Sequence, residues 1–142
     1  MPPVLVVHLM AVCAYAGFQW TVRVVVYPQF SRVPASAFPA YEAAHQRRLS
    51  YVVGPLLAAL VVTTALMLVL RPPTVPWWAA AGSAALLVIV LGTTAGLAVP
   101  LHRRLGAGWD IDAHTALVRA DGVRVAAASA NVVLVAALAL LA

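Results

Sequence analysis

Residues 39–55 read PAYEAAHQRRLSYVVGP, a polar helix start that runs without interruption into an apolar, membrane-type stretch. From Pro39 the apolar pattern continues to Leu70, and 32 residues at about 1.5 Å each would make a rod of roughly 48 Å. A hydrocarbon core is only ~30 Å thick, so the first turns, which carry Glu42, His45, Arg47 and Arg48, must stand at or beyond its edge. The Gly54-Pro55 step just inside the apolar run is expected to kink this helix.

The whole chain shares this character. Of its 142 residues 64% are hydrophobic and 9% charged, with a mean hydropathy of +0.97, a balance that excludes a soluble domain. Four apolar runs long enough to span a bilayer are expected at about 3–27, 39–70, 76–101 and 112–141. The fold class is therefore all-α: an integral membrane four-helix antiparallel bundle in a single domain, with helices 2 and 4 extended beyond the bilayer on one side. Ala14-Tyr15-Ala16 resembles a signal-peptidase site, but no basic segment precedes it and the apolar run continues past it, so the first helix is expected to be retained.

The net charge of +5 comes from nine Arg and no Lys against Glu42, Asp110, Asp112 and Asp121. These arginines lie in short loops beside apolar spans, where they set orientation and meet lipid headgroups; no nucleic-acid partner is expected. The exclusive use of Arg, with many Ala and Val, fits a bacterial inner membrane protein. The single cysteine, Cys13, rules out an intrachain disulfide and reads as a small buried residue. Trp77-Trp78 suit the headgroup level, and Gly82, Gly92 and Gly96 would permit close helix contact.

Two stripes of polar residues follow helical spacing: His8, Tyr15, Gln19 and Arg23 on helix 1, and His114, Asp121, Arg124 and Asn131 on helix 4. Lipid offers such groups no partners, so both stripes should face the bundle interior. At one end they would meet Glu42 and His45 of helix 2 and His102 and Arg103 after helix 3. Glu42-Ala-Ala-His45 is a Glu-x-x-His pair, a spacing used in carboxylate–histidine metal sites, but one glutamate in the whole chain excludes a ferritin-like dimetal centre. A mononuclear site using Glu42, His45, His102 and His114 is compatible with the ligand types. The alternative is that Glu42 answers the helix dipole and His45 sits in the interface. Asp112, with Asp110, is read as a helix cap, and Asp121 with Arg124 as an i,i+3 ion pair. Arg23, Arg119 and Arg124, with Asp121, could instead clamp an anionic substrate. His8, about 22 Å from Arg23 along the helix, is read as a packed residue bonded to a neighbouring helix.

Pro28 to Phe38, Tyr41 to His45, and HRRLGAGWDIDAHTALVRADGVR at 102–124 together resemble a large, mostly uncharacterised group of small four-helix membrane proteins that includes the anthrone oxygenases. In that group the fourth helix commonly carries Leu, Arg, Asn, Trp and Arg at the positions of Leu117, Arg119, Asp121, Gly122 and Arg124; here Asp121 and Gly122 depart from the Asn-Trp step. The resemblance implies oxidation of a hydrophobic, aromatic or quinone-like molecule taken from the bilayer. His45 and His114 would then transfer protons or ligate a metal, and the arginines would hold a phenolate or carboxylate. The cofactor stays open between a mononuclear metal, haem and none. Two other readings stand beside the enzyme: a non-catalytic subunit or scaffold that binds a protein or anionic lipid, and a small dimeric transporter. The length leaves room for a homo-oligomer.

Eight arginines, Arg23, Arg32, Arg47, Arg48, Arg103, Arg104, Arg119 and Arg124, share one side and Arg71 alone the other, so both termini are expected outside the cytoplasm. Reporter fusions at the C-terminus should therefore be active for a periplasmic enzyme and silent for a cytoplasmic one; the reverse pattern would overturn the orientation.

Overall fold

The computed structural model describes residues 2–141. Four helices form an up-down bundle: α1 (Pro3–Phe30), α2 (Phe38–Val69), α3 (Trp77–Gly106) and α4 (Ile111–Leu141). Each is long and apolar enough to cross a membrane, and the chain is a multi-pass membrane protein. Connections of seven residues at 31–37 and 70–76 and four at 107–110 are too short for anything but antiparallel neighbours.

α2 and α4 overshoot the bilayer as their lengths require. α1 and α3 run nearly as far, to Phe30 and Gly106, although their sequences suggested ends near residues 27 and 101. Each contains one π-helical turn, Val22–Val26 in α1 and Thr94–Ala98 in α3, followed by further α-helix that carries a proline at its start, Pro28 or Pro100. A proline is tolerated in a first turn, so neither residue ends its helix. α2 likewise passes through Pro55 as one helix.

The π turns change which residues face inward. Gln19 and Tyr27 are eight residues apart, which at ~100° per residue would leave Tyr27 about 80° off the buried stripe. A π turn closes i→i+5 bonds and absorbs one extra residue, reducing the offset to about 20°. By the same arithmetic His102, twelve residues after Val90, moves from about 120° off the interior line of α3 to about 20°. Tyr27 is buried and His102 largely so, and their side chains meet.

Two apolar clusters fill the bundle. One, around Leu5, Val12, Tyr15, Leu60, Met67, Leu87 and Val135, occupies the membrane level. The other, around Val22, Tyr27, Phe30, Phe38, Leu105 and Leu117, caps the arginine-rich end. There Phe30 packs edge-on against Phe38 at 5.7 Å, and Phe38 against Trp109 at 4.9 Å, which holds the overshooting ends together.

Several local expectations are corrected. The cap of α4 is Asp110: its Oδ1 accepts the N–H groups of Asp112 and Ala113, both at 3.0 Å, and its other oxygen pairs with Arg104 at 2.6 Å. Asp112 is exposed. The Ala113 N–H, with Arg104 adding to it, holds the Asp110 carboxyl below the usual range against a smaller opposing effect of desolvation. Cys13 is exposed, on the outside of the bundle. Of the three glycines named in α3, Gly82 faces a neighbour, Leu134 at 3.4 Å from where a Cβ would stand, while Gly92 and Gly96 face open space.

His8 is completely buried and ties three helices, with Nδ1 2.9 Å from Thr63 Oγ1 of α2 and Nε2 2.9 Å from Ser83 Oγ of α3. Thr63 gives its only proton to the Ala59 carbonyl at 2.7 Å, so His8 Nδ1 must be the donor and the neutral ring's Nε2 must accept from Ser83. Interhelical bonds of this kind within a bilayer contribute ~0.6 kcal/mol each, up to ~1.7. His8→Ala should therefore lower stability by roughly 1–3 kcal/mol in reversible unfolding from mixed micelles; an unchanged midpoint would show that this tie carries nothing.

Candidate functional site

The residues singled out at the arginine-rich end come together in two linked groups. In the first, Asp121 of α4 is fully buried. Its Oδ1 accepts from Arg124 Nη2 at 3.0 Å and from Gln19 Nε2 at 3.1 Å, while Oδ2 lies 3.7 Å from Arg23 Nη1. Arg23 also donates to the Val118 carbonyl at 3.1 Å, and its guanidinium occupies the space that a side chain at position 122 would claim, 3.3 Å from where a Cβ of Gly122 would stand. The i,i+3 pair is thus present, joined by a second arginine from α1. Arg119 takes no part: it is exposed, beside Leu97 and Pro100 on the outer surface of α3 and α4. Of the three arginines expected to form a clamp, Arg23 and Arg124 both engage Asp121 and Arg119 stands apart from them.

The second group joins α1, α2 and α3. Glu42 is fully buried, and its Oε1 lies 2.5 Å from His102 Nδ1 and accepts from Gln46 Nε2 at 3.0 Å. His102 Nε2 is 3.3 Å from the Tyr27 hydroxyl, which accepts from Arg124 Nη2 at 3.1 Å. Proton accounting gives this chain one direction. The guanidinium can only donate, so the Tyr27 proton is free to point at His102 Nε2, and the Nδ1 proton at the Glu42 carboxylate. Arg124, shared by both groups, makes them one network through all four helices.

His45 stacks on His102 with ring centroids 5.6 Å apart and meets the edge of Phe30 at 4.9 Å. Its Nε2, like Glu42 Oε2, is buried with no hydrogen-bond partner among the described residues. His114 lies on the other side of Phe30, centroids 5.9 Å apart, and its Nε2 donates to the Tyr27 carbonyl at 2.9 Å. His114 therefore positions the end of α1 and does not face the same space as His45. Among the described residues no group of three or more His, Cys, Asp and Glu side chains is arranged to hold a metal ion. Glu42, His45, His102 and His114 share one end of the bundle without forming such a ligand cluster.

A cavity of about 130 Å³ opens beside this network. Gln19, Tyr27, His45, Gln46, His102 and Arg124 supply its polar wall, and Phe18, Val22, Leu49, Val53 and Ala98 its apolar one. Tyr27 and Gln46 are the members that the sequence reading did not name. Tyr27 follows a π turn invisible to simple helical spacing, whereas Gln46 sits one turn after Glu42 and could have been found from that spacing alone.

These features define a multi-pass helical membrane protein with a buried carboxylate–imidazole–phenol chain lining a small, mostly apolar cavity. The chain matches no known family, no curated protein and no solved structure.

Removing one partner of a buried pair leaves an uncompensated charge, at a cost of roughly 3–5 kcal/mol. Arg124→Leu should lose about that much stability, and adding Asp121→Asn should restore a large part of it. Should the single variant unfold at the wild-type midpoint in mixed micelles, the pairing would carry no structural weight.

Proposed function

We propose that the protein takes up a small hydrophobic molecule with one aromatic or quinone-like ring and exchanges a proton with an oxygen on that ring. This is the chemistry that an oxidoreductase or oxygenase acting on such a substrate requires. The observation that carries it is the ordered chain Arg124, Tyr27, His102, Glu42, whose first three members line the cavity. In this reading His102 serves as general base and acid, Glu42 orients its ring and balances the imidazolium, and Arg124 supports negative charge on the Tyr27 oxygen or on the ligand. His45, stacked on His102, completes this part of the cavity wall.

The size of the cavity supports this. An apolar cavity of ~150 Å³ holds benzene, so about 130 Å³ suits one ring and excludes a fused system from lying fully inside. We place the site at the cytoplasmic face of a bacterial inner membrane, with both termini on the other side, because eight of the nine arginines lie at this end.

A second reading, a scaffold that binds anionic lipid or a protein, draws on Arg32, Arg47, Arg48 and Arg103, which are exposed at the same end with no acidic partner among the described residues. The protonation state of a bound phenol separates the two. With its proton passed to His102 inside the complex, an acidic phenol such as a nitrophenol, added at a pH where it is neutral in buffer, should show phenolate absorption on binding the wild type and none with His102→Gln. If turnover is found, that variant should slow it by ~10²–10⁴-fold. A phenol that stays neutral in both proteins, or ionises equally in both, would favour the scaffold.

A further inference from the structure

The cavity has a side door, and its position specifies the rest of the ligand. α2 packs against α3 on either side of the Thr94–Ala98 π turn but makes little contact with the turn itself. The cavity lies at this gap: Leu49, Ser50 and Val53 form its α2 edge, and Thr94, Ala98 and Val99 its α3 edge. Ser50 and Val99 are exposed, so the gap reaches the outside of the bundle. It does so in the bilayer. The apolar run of α2 begins at Leu49 and ends at Leu70, 22 residues or about 33 Å, one hydrocarbon thickness. The opening therefore stands just below the headgroups, with exposed Arg47 and Arg48 immediately beyond it.

We propose that this opening is a lateral portal for a membrane-dissolved amphiphile: a single-ring quinone or phenol whose hydrocarbon tail stays in the lipid between α2 and α3 while its ring occupies the cavity. Three constraints meet here. The cavity has room for a ring and no chain, its polar groups come from α1 and α4 and from the stretches of α2 and α3 nearer the arginine-rich end than the gap, and the rim is apolar apart from Ser50 and Thr94. An untailed ring would gain nothing from an opening at this depth, whereas a tailed one is delivered there by its own partitioning. The π turn thus has two effects, since the residue that turns His102 inward also lifts α3 away from α2. The proposal rests on the ring-binding reading above.

The test uses the protein in lipid nanodiscs and two probes, benzoquinone with no tail and the same ring with a ten-carbon tail, with affinities expressed per mole fraction in the bilayer. Ser50→Trp, at the exposed outer rim of the opening, narrows the portal without entering the ring site or touching the hydrogen-bonded chain. It should weaken the tailed quinone by about 10-fold or more and leave the untailed ring within about twofold. Val99→Trp, on the opposite edge, should do the same. Unchanged affinity for the tailed quinone in both variants, or an equal loss for both probes, would overturn the portal. If neither probe binds the wild type, the ring-binding reading fails first and the portal with it.

Discussion

A carboxylate inside an apolar bundle must find cations and donors from the protein, because lipid has none to give. Asp121 meets this requirement with Arg124 one turn away and with Gln19 and Arg23 across the α1–α4 contact. The rest of the polar end follows from it. Arg124, held by Asp121, is also aimed at the Tyr27 oxygen, which is left free to point its proton toward His102; His102 in turn faces Glu42. The network carries two buried carboxylates and two arginines, so its formal charges balance before any imidazole is protonated.

That balance depends on backbone irregularity. Without the π turn in α1, Tyr27 would stand well away from the stripe that holds Tyr15 and Gln19, and without the one in α3, His102 would face lipid. π turns are rare and frequent at functional sites. Here two of them, on helices that meet the same cavity, each place one member of a single hydrogen-bonded chain.

This also explains what could and could not be read from the residues alone. The four spans, the inward stripes on α1 and α4, the Asp121–Arg124 pair and the bonded His8 all follow from hydropathy, helical spacing and the cost of burying polar groups, and all are present. Tyr27 escaped because counting at a fixed 3.6 residues per turn puts it on the wrong face. Helix ends expected near residues 27 and 101 fall short for a related reason: after each π turn, Pro28 and Pro100 sit in the first turn of a further α segment. Arg119 was grouped with Arg124 by proximity in sequence, but five residues on a helix turn through about 500°, which leaves the two about 140° apart.

The two buried histidine sites make the physical contrast plain. His8 has both nitrogens satisfied by hydroxyls, one of which has already spent its proton, so the ring has a single tautomer and no route to exchange. At the opposite end, His102 sits between a carboxylate and a phenol, and His45 stacks beside it with a nitrogen unpartnered among the described residues. Burial is similar in kind, yet the first arrangement ties three helices together through two hydroxyls, while the second joins an imidazole to a carboxylate and a phenol beside a cavity. The difference between the two histidines lies in their partners, and at the second site those partners are set by which residues the π turns bring inward.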